Sequence, residues 1–311
     1  MSDSSRLIRI GHLSTFYHTA MLLMAEGTLE KKMEAHVEWR LFGTGPAIVN
    51  AFEKGELDLA YVGLPPAIIG ISRGVRIKCI AGGHIEGTVV CGRKSDRGFP
   101  EIDALDAVFR QFSGLKIGVP GNGSIHDVIL TDCLVRSGLN TVVEVIHFPW
   151  ADAIVEAMVK GEISAAIGTP ALAVALERYA GGKILYPAAK VWPYNPSYGI
   201  VVHDGFLAER RELAEAFLIA HEDAAALIRN SSEAAASIIS KYLGFIDEKF
   251  VLDTLKVSPK YCAQLSDEYI SATMGFAAAL RKLGYIDRNV SREEIFDTSL
   301  IRKTHPPGDH Y

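Results

Sequence analysis

The chain predicts an α/β fold built as two similar lobes, and three observations lead there. One pattern occurs twice: residues 47–65 read AIVNAFEKGELDLAYVGLP and residues 153–170 read AIVEAMVKGEISAAIGTP. Ala51/Ala157, Lys54/Lys160, Gly55/Gly161, Glu56/Glu162, Ala60/Ala166, Gly63/Gly168 and Pro65/Pro170 align with a single one-residue gap. Upstream of each copy stands a strand carrying Ile-Gly (Ile10-Gly11, Ile117-Gly118), then a polar loop, then a histidine opening a helix, His18 and His126. Strand and helix signals alternate throughout, which implies mostly parallel sheets covered on both faces. The copies stand roughly 100 residues apart, the size of a small domain and far beyond a solenoid unit of about 20–50 residues.

Taken in order, the first half reads as strand 7–13, helix 18–32, strand 37–42, helix 46–54, strand 57–62, helix 65–73, and strands 76–82 and 88–92. Gly55, Gly74 and the Gly43/Gly45 pair stand where helix ends and tight loops need them. The loop-rich stretch 93–100 is read as the crossing into a second lobe, which repeats the pattern over 102–187. Pro193, Asn195 and Pro196 then break the chain before strand 198–203, the return crossing. From Leu207 the chain is Ala-rich and helical, breaks at Asn230-Ser231-Ser232, and resumes, with a last long helix over 266–283 whose apolar spacing suits one buried face. Residues 301–311 read as a loose tail. Lobe one is thus expected over 1–92 plus 194–311, with the C-terminal helices packed on it, and lobe two over 93–193.

Composition narrows the function. The 311 residues are 49 % hydrophobic and 22 % charged, with a net charge of −5 and no basic patch. A nucleic acid or anionic membrane partner is therefore not expected. No apolar run reaches the roughly 20 residues needed to span a bilayer. The start, MSDSSRLIRIGHL, enters a strand without the charged, apolar and cleavage segments of a secretory signal. The expectation is a cytoplasmic protein, or one whose leader is absent from this sequence. Cys79, Cys91, Cys133 and Cys262 show no CxxC spacing and are expected as buried thiols, outside any zinc cluster or disulfide scaffold.

Ligands of open α/β sheets gather beyond strand ends, at helix N-termini whose free amides attract polar groups. The loops with that placement hold Ser14, Thr15, His18, Gly43, Thr44, Gly45, Gly63 and Glu86 in lobe one, and Asn122, Gly123, Ser124, His126, Trp150 and Thr169 in lobe two. Thr44 and Ser124 could equally be helix N-caps. Gly121-Asn122-Gly123-Ser124 lets a ligand approach the backbone closely, yet it is neither a Walker motif nor GxGxxG. Phe16, Tyr17, Tyr61, Trp150 and Tyr194 could form an aromatic wall. His12, His84 and Glu86 make no spaced ligand set, so neither a metal nor a cofactor is expected. No GxSxG elbow or other catalytic set is visible. The near absence of Lys and Arg from these loops argues for a neutral or singly anionic ligand.

These residues carry a resemblance. HTAMLLMAEGTLEKK, FGTGPAIVNAFEKGELDLAYVGLPPAIIGISRGVRIKCIAG and LKIGVPGNGSIHDVILTDCLVRSGL resemble the alkanesulfonate/nitrate/thiamine-pyrimidine group of periplasmic binding proteins type II, the SsuA/NMT-like substrate-binding components of ABC transporters. AALIRNSSEAAASIISKYLG and LSDEYISATMGFAAALRKLGYI resemble that group's C-terminal helices. The resemblance implies two Rossmann-like lobes joined by two crossovers, closing on a solute that an ABC permease then receives, outside the cytoplasm. It places contacts at Ser14, Thr15, His18, Gly43, Thr44, Gly45, Gly63, Gly123, Ser124, His126 and Thr169. Thr169-Pro170 departs from the acidic or aromatic residue that many relatives carry there, so the ligand is expected to differ from theirs. The same fold serves as an enzyme in menaquinone-pathway dehydratases and in fungal thiamine-pyrimidine synthases, whose cysteine cluster this chain lacks. An enzyme, with His18, His126 and Glu86 as its titrating groups, is therefore the alternative, and a ligand-reporting regulatory module is a third.

Overall fold

The computed structural model describes residues 7–308 and 310–311; the expectations that fall on residues 1–6 and on Asp309 lie outside it. Its strands are β1 (Leu7–Leu13), β2 (His36–Phe42), β3 (Leu59–Val62), β4 (Ile77–Ile85), β5 (Val89–Arg93), β6 (Lys116–Pro120), β7 (Glu144–Phe148), β8 (Ala165–Gly168), β9 (Gly182–Tyr186) and β10 (Pro196–His203). They form two five-stranded sheets, β2-β1-β3-β10-β4 and β7-β6-β8-β5-β9. The duplication is visible in the register: Ile10 and Gly11 of β1 pair with Leu59 and Ala60 of β3, and Ile117 and Gly118 of β6 pair with Ala165 and Ala166 of β8. Both glycines answer one packing demand. A Cβ on Gly11 would come within 2.7 Å of Leu57 Cδ1, and one on Gly118 within 2.6 Å of Ile163 Cδ1; Leu57 and Ile163 are themselves matched positions of the repeat.

The sheets are mixed rather than nearly all parallel. β10 runs antiparallel to both β3 and β4, and β5 antiparallel to both β8 and β9. β5 therefore belongs to the second sheet, which moves the first crossing from residues 93–100 to Glu86–Thr88 and corrects the boundary expected at 92/93. Val89, Val90 and Cys91 are buried and apolar, a composition that fits the interior of either sheet, so the run itself does not name its partner. The chain thus passes from one sheet to the other twice, between β4 and β5 and between β9 and β10.

The two crossings touch. Glu86 N donates to Asn195 O at 2.8 Å, and the Glu86 carboxylate accepts from Tyr194 N at 3.2 Å and from Lys260 Nζ at 3.1 Å. Glu86 and Tyr194 both have left-handed backbones, at φ 60° and 57°, a region that non-glycine residues seldom occupy.

Of the C-terminal helices, Arg211–Asn230 packs on helices Thr19–Glu26 and Leu29–Met33, and Asp267–Lys282 on Leu64–Ser72, all in lobe one. Helix Glu248–Val257 also lies against Pro170–Tyr179 of lobe two, joined by Arg178 to Asp247 at 2.6 Å and to Asp253 at 3.3 Å. The expected helix 18–32 is two, because Gly27 turns left-handed at φ 62° and ends the first. The last residues are not a loose tail: Tyr311 Oη donates to Cys262 O at 2.7 Å, because its ring packs beside buried Tyr269. Among the described residues no helix is long and apolar enough to cross a membrane.

Candidate ligand-binding site

A cavity of about 250 Å³ lies on the seam between the sheets. Lobe one contributes Ser14, Thr15, His18, Gly43, Thr44, Gly45 and Gly63, and lobe two contributes Ser124, His126 and Thr169. The repeat explains this convergence. The helices starting at Thr19, Gly45 and Leu64 follow β1, β2 and β3, and those starting at Ile125, Ala151 and Pro170 follow β6, β7 and β8. Their N-terminal turns, whose amides lack intrahelical acceptors, meet across the seam.

The hydroxyls, however, are already engaged in capping. Thr44 Oγ1 accepts from Ala47 N at 3.4 Å, Ser124 Oγ from Asp127 N at 3.2 Å, and Thr169 Oγ1 from Leu172 N at 3.2 Å. Ser124 Oγ also donates to Pro120 O at 3.0 Å. Each cap stabilises its helix by about 1 kcal/mol. Thr15 Oγ1 and His18 Nδ1 differ from these: both are buried and accept or donate no hydrogen bond. Leaving such a group unmet costs about 1–3 kcal/mol.

Among the described residues no lysine or arginine lines the cavity, and the one charged side chain in its lining is Asp152, exposed in the first turn of helix Ala151–Lys160. The histidines are neutral at pH 7. Burial, reinforced by neighbouring His84, His12 and His221, holds His18 well below its ordinary value, and burial takes His126 down to about 3. His126 Nδ1 lies 3.0 Å from Thr88 Oγ1. Beneath the site, His18, Tyr61, Tyr198 and His221 form a buried layer of rings, with His18 and Tyr198 centroids 4.0 Å apart. Much of the remaining wall is apolar; Phe16 meets Phe245 and Phe250 edge-on at 6.3 and 6.1 Å.

Four expected contacts stand apart from the cavity lining. Glu86 is committed to the crossings, as described. Asn122 is exposed. Gly123, at φ 79°, gives its amide to Asp127 Oδ2 at 2.8 Å, because that carboxylate is held beside it by Tyr285 Oη and His147 Nε2, each at 2.7 Å. Trp150 is exposed at the lip, against Gly43. Of the proposed aromatic wall, Phe16 and Tyr17 line the cavity, Tyr61 belongs to the buried layer and Tyr194 to the crossing. Sequence reasoning missed Ser197 on β10 and Phe245 and Phe250 in the C-terminal helical region; no local motif marks them, since long-range folding alone brings them to the seam.

Gly43 and Gly121 explain how closely the lobes approach. A Cβ on Gly43 would lie 2.6 Å from Pro149 O, and one on Gly121 2.9 Å from Thr44 Cγ2, each contact reaching from one lobe to the other.

The NMT1-like family model matches residues 3–243 of this sequence. The chain belongs to the NMT1-like family. A Brucella abortus (strain 2308) protein named "Putative binding protein" is 25 % identical over 241 residues, covering 76 % of this chain and 71 % of its own. The fold is that of the alkanesulfonate-binding protein SsuA from Xanthomonas axonopodis pv. citri bound to MOPS, at a TM-score of 0.79 and 16 % identity over 94 % of this chain and 98 % of that one. The periplasmic nitrate-binding protein NrtA from Synechocystis PCC 6803 is similar, at a TM-score of 0.77 and 14 % identity over 96 % and 88 % of the two chains. This NMT1-like chain therefore has the periplasmic binding protein type II fold expected of it, and these similar proteins are named for binding rather than for catalysis.

Proposed function

We propose that this NMT1-like protein is a solute-binding component of an ABC importer, taking a small uncharged organic molecule, aromatic or heteroaromatic in body, between its lobes. One observation carries the ligand class: a cavity lined by both lobes whose wall holds neutral histidines, apolar side chains and, among the described residues, no lysine or arginine. Sulfonate and nitrate, the ligands named for the structural neighbours, bear a full negative charge. Here such an anion would meet no cationic side chain among the described residues, but helix amides, each contributing about 0.3–1 kcal/mol, uncharged hydroxyl and imidazole groups, and the carboxylate of Asp152 at the rim. A neutral ring carrying a donor and an acceptor, of the aminopyrimidine kind, meets no such penalty. Its polar edge offers partners to Thr15 Oγ1 and His18 Nδ1, while Phe16 and Phe250 border its body. Closure on the ligand follows from contacts available only when both lobes engage it, and a permease is the partner that the fold's neighbours imply.

The test is a thermal-shift series followed by calorimetry, comparing aminopyrimidines and neutral aromatic amides with alkanesulfonates and nitrate. Stabilisation by the neutral set supports the reading, since a ligand bound only by the native state raises stability by mass action. Tighter binding of sulfonates would reverse the charge assignment. Chemical conversion of the stabilising compound, followed by chromatography, would replace binding with catalysis.

A further inference from the structure

We propose that Cys262, His305 and His310, with Glu222 as fourth donor, form a binding site for a divalent transition-metal ion of the zinc class, away from the ligand cavity. Cys262 Sγ lies 3.0 Å from His305 Nε2 and 3.7 Å from His310 Nδ1, and the two imidazole nitrogens are 3.3 Å apart. Zn–S and Zn–N bonds of about 2.3 and 2.0 Å in a tetrahedron put sulfur and nitrogen about 3.5 Å apart and two nitrogens about 3.3 Å apart. The observed spacings bracket those values. Glu222 supplies the independent observation. Its side chain is only 8 % exposed, Arg229 holds Oε1 at 2.9 Å, and Oε2 accepts no hydrogen bond while lying 3.6 Å from His305 Nε2.

Hydrogen bonding alone leaves this cluster short of protons. A thiol and two imidazoles provide few donors for the sulfur, nitrogen and carboxylate lone pairs that face one another, and a buried carboxylate oxygen without a donor is costly. A cation among them meets Glu222 Oε2 and draws the other three donors to one centre. The surroundings suit a thiolate ligand and a fixed carboxylate: Gln264 N donates to Cys262 Sγ at 3.4 Å, and Arg229 orients Glu222 while also bonding Tyr261 O at 3.1 Å. The turn Pro306-Pro307-Gly308, with Gly308 at φ 124°, brings His310 back to His305. The ion would staple the end of the chain to helix Arg211–Asn230 and, through Cys262 N to Gly83 O at 3.2 Å, to β4. Four protein donors make it a closed, structural site.

The experiment loads the full chain with Co²⁺ and Zn²⁺. Expected are one equivalent of metal retained after desalting, a thiolate-to-cobalt charge-transfer band, and a rise in Tm with Zn²⁺ that a chelator reverses. Cys262→Ser should lose the charge-transfer band and His310→Ala should lose retention, with circular dichroism verifying the fold of each. His310→Ala sits next to the chain end and keeps the test decisive if Cys262→Ser fails to fold. Absence of the band in the parent chain, or retention unchanged in His310→Ala, would overturn the proposal. Ligand binding in the cavity is measured separately and does not bear on either outcome.

Discussion

Thr15 and His18 illustrate how two residues of one loop can differ from the capping hydroxyls around them. Thr44, Ser124 and Thr169 are spent on helix caps, whereas Thr15 Oγ1 and His18 Nδ1 are buried without partners. Replacing Thr15 with its isostere valine removes an unmet polar atom, so Tm should hold or rise. Ligand affinity should fall about tenfold, the equivalent of about 1.4 kcal/mol, and calorimetry reads both. The buried histidines make a second expectation. Burial takes His84 and His221 down to about 4 and His126 to about 3, with His18 also lowered. A histidine whose folded value lies below its unfolded value of about 6.5 leaves the unfolded chain holding more protons, so stability rises with pH. It is fully present above about pH 6.5 and declines as the pH drops toward 4 and 3. Tm measured across that window should fall on acidification, and His126→Gln should flatten the slope.

Among the elements, helix Ile125–Ser137 carries the clearest division of labour. Its first-turn Asp127 takes Gly123 N, Tyr285 Oη and His147 Nε2 at 2.7–2.8 Å, fixing the glycine loop and tying lobe two to the segment just past helix Asp267–Lys282. Asp127→Ala should cost about 1.5–3 kcal/mol, the range for hydrogen bonds to a charged group, read by denaturant unfolding. The 121–124 loop was legible in sequence as a place of close approach. The actual approach is made by the carboxylate of its own helix and by Thr44 of the other lobe, because a loop's composition states what can come near and not what does. The caps were legible too: Ser or Thr ahead of a helix predicts them wherever no competing partner intervenes.

For the whole molecule the controlling feature is the seam. Gly43 and Gly121 let the lobes meet, and Glu86 and Tyr194 link the two crossings through Asn195 and Lys260. Gly43→Ala places a Cβ 2.6 Å from the main-chain oxygen of Pro149, an atom that cannot turn aside. The closed population should shrink and ligand affinity fall at least about tenfold, while each lobe keeps its stability. Small-angle scattering with and without ligand checks this: an unchanged compaction in the variant would remove the glycine from the closing mechanism.

From its residues alone the chain determined that it has two related halves, because helix, glycine stop and strand are local patterns, and a repeat of them carries the packing of Gly11 on Leu57 over to Gly118 on Ile163. Tertiary structure decided the rest. It chose which sheet receives β5, for a short apolar strand satisfies the interior of either. It turned Glu86 from ligand contact to crossover clamp by setting Lys260 beside it. It also brought His305 and His310 to Cys262, a meeting of distant segments that no spacing along the chain announces.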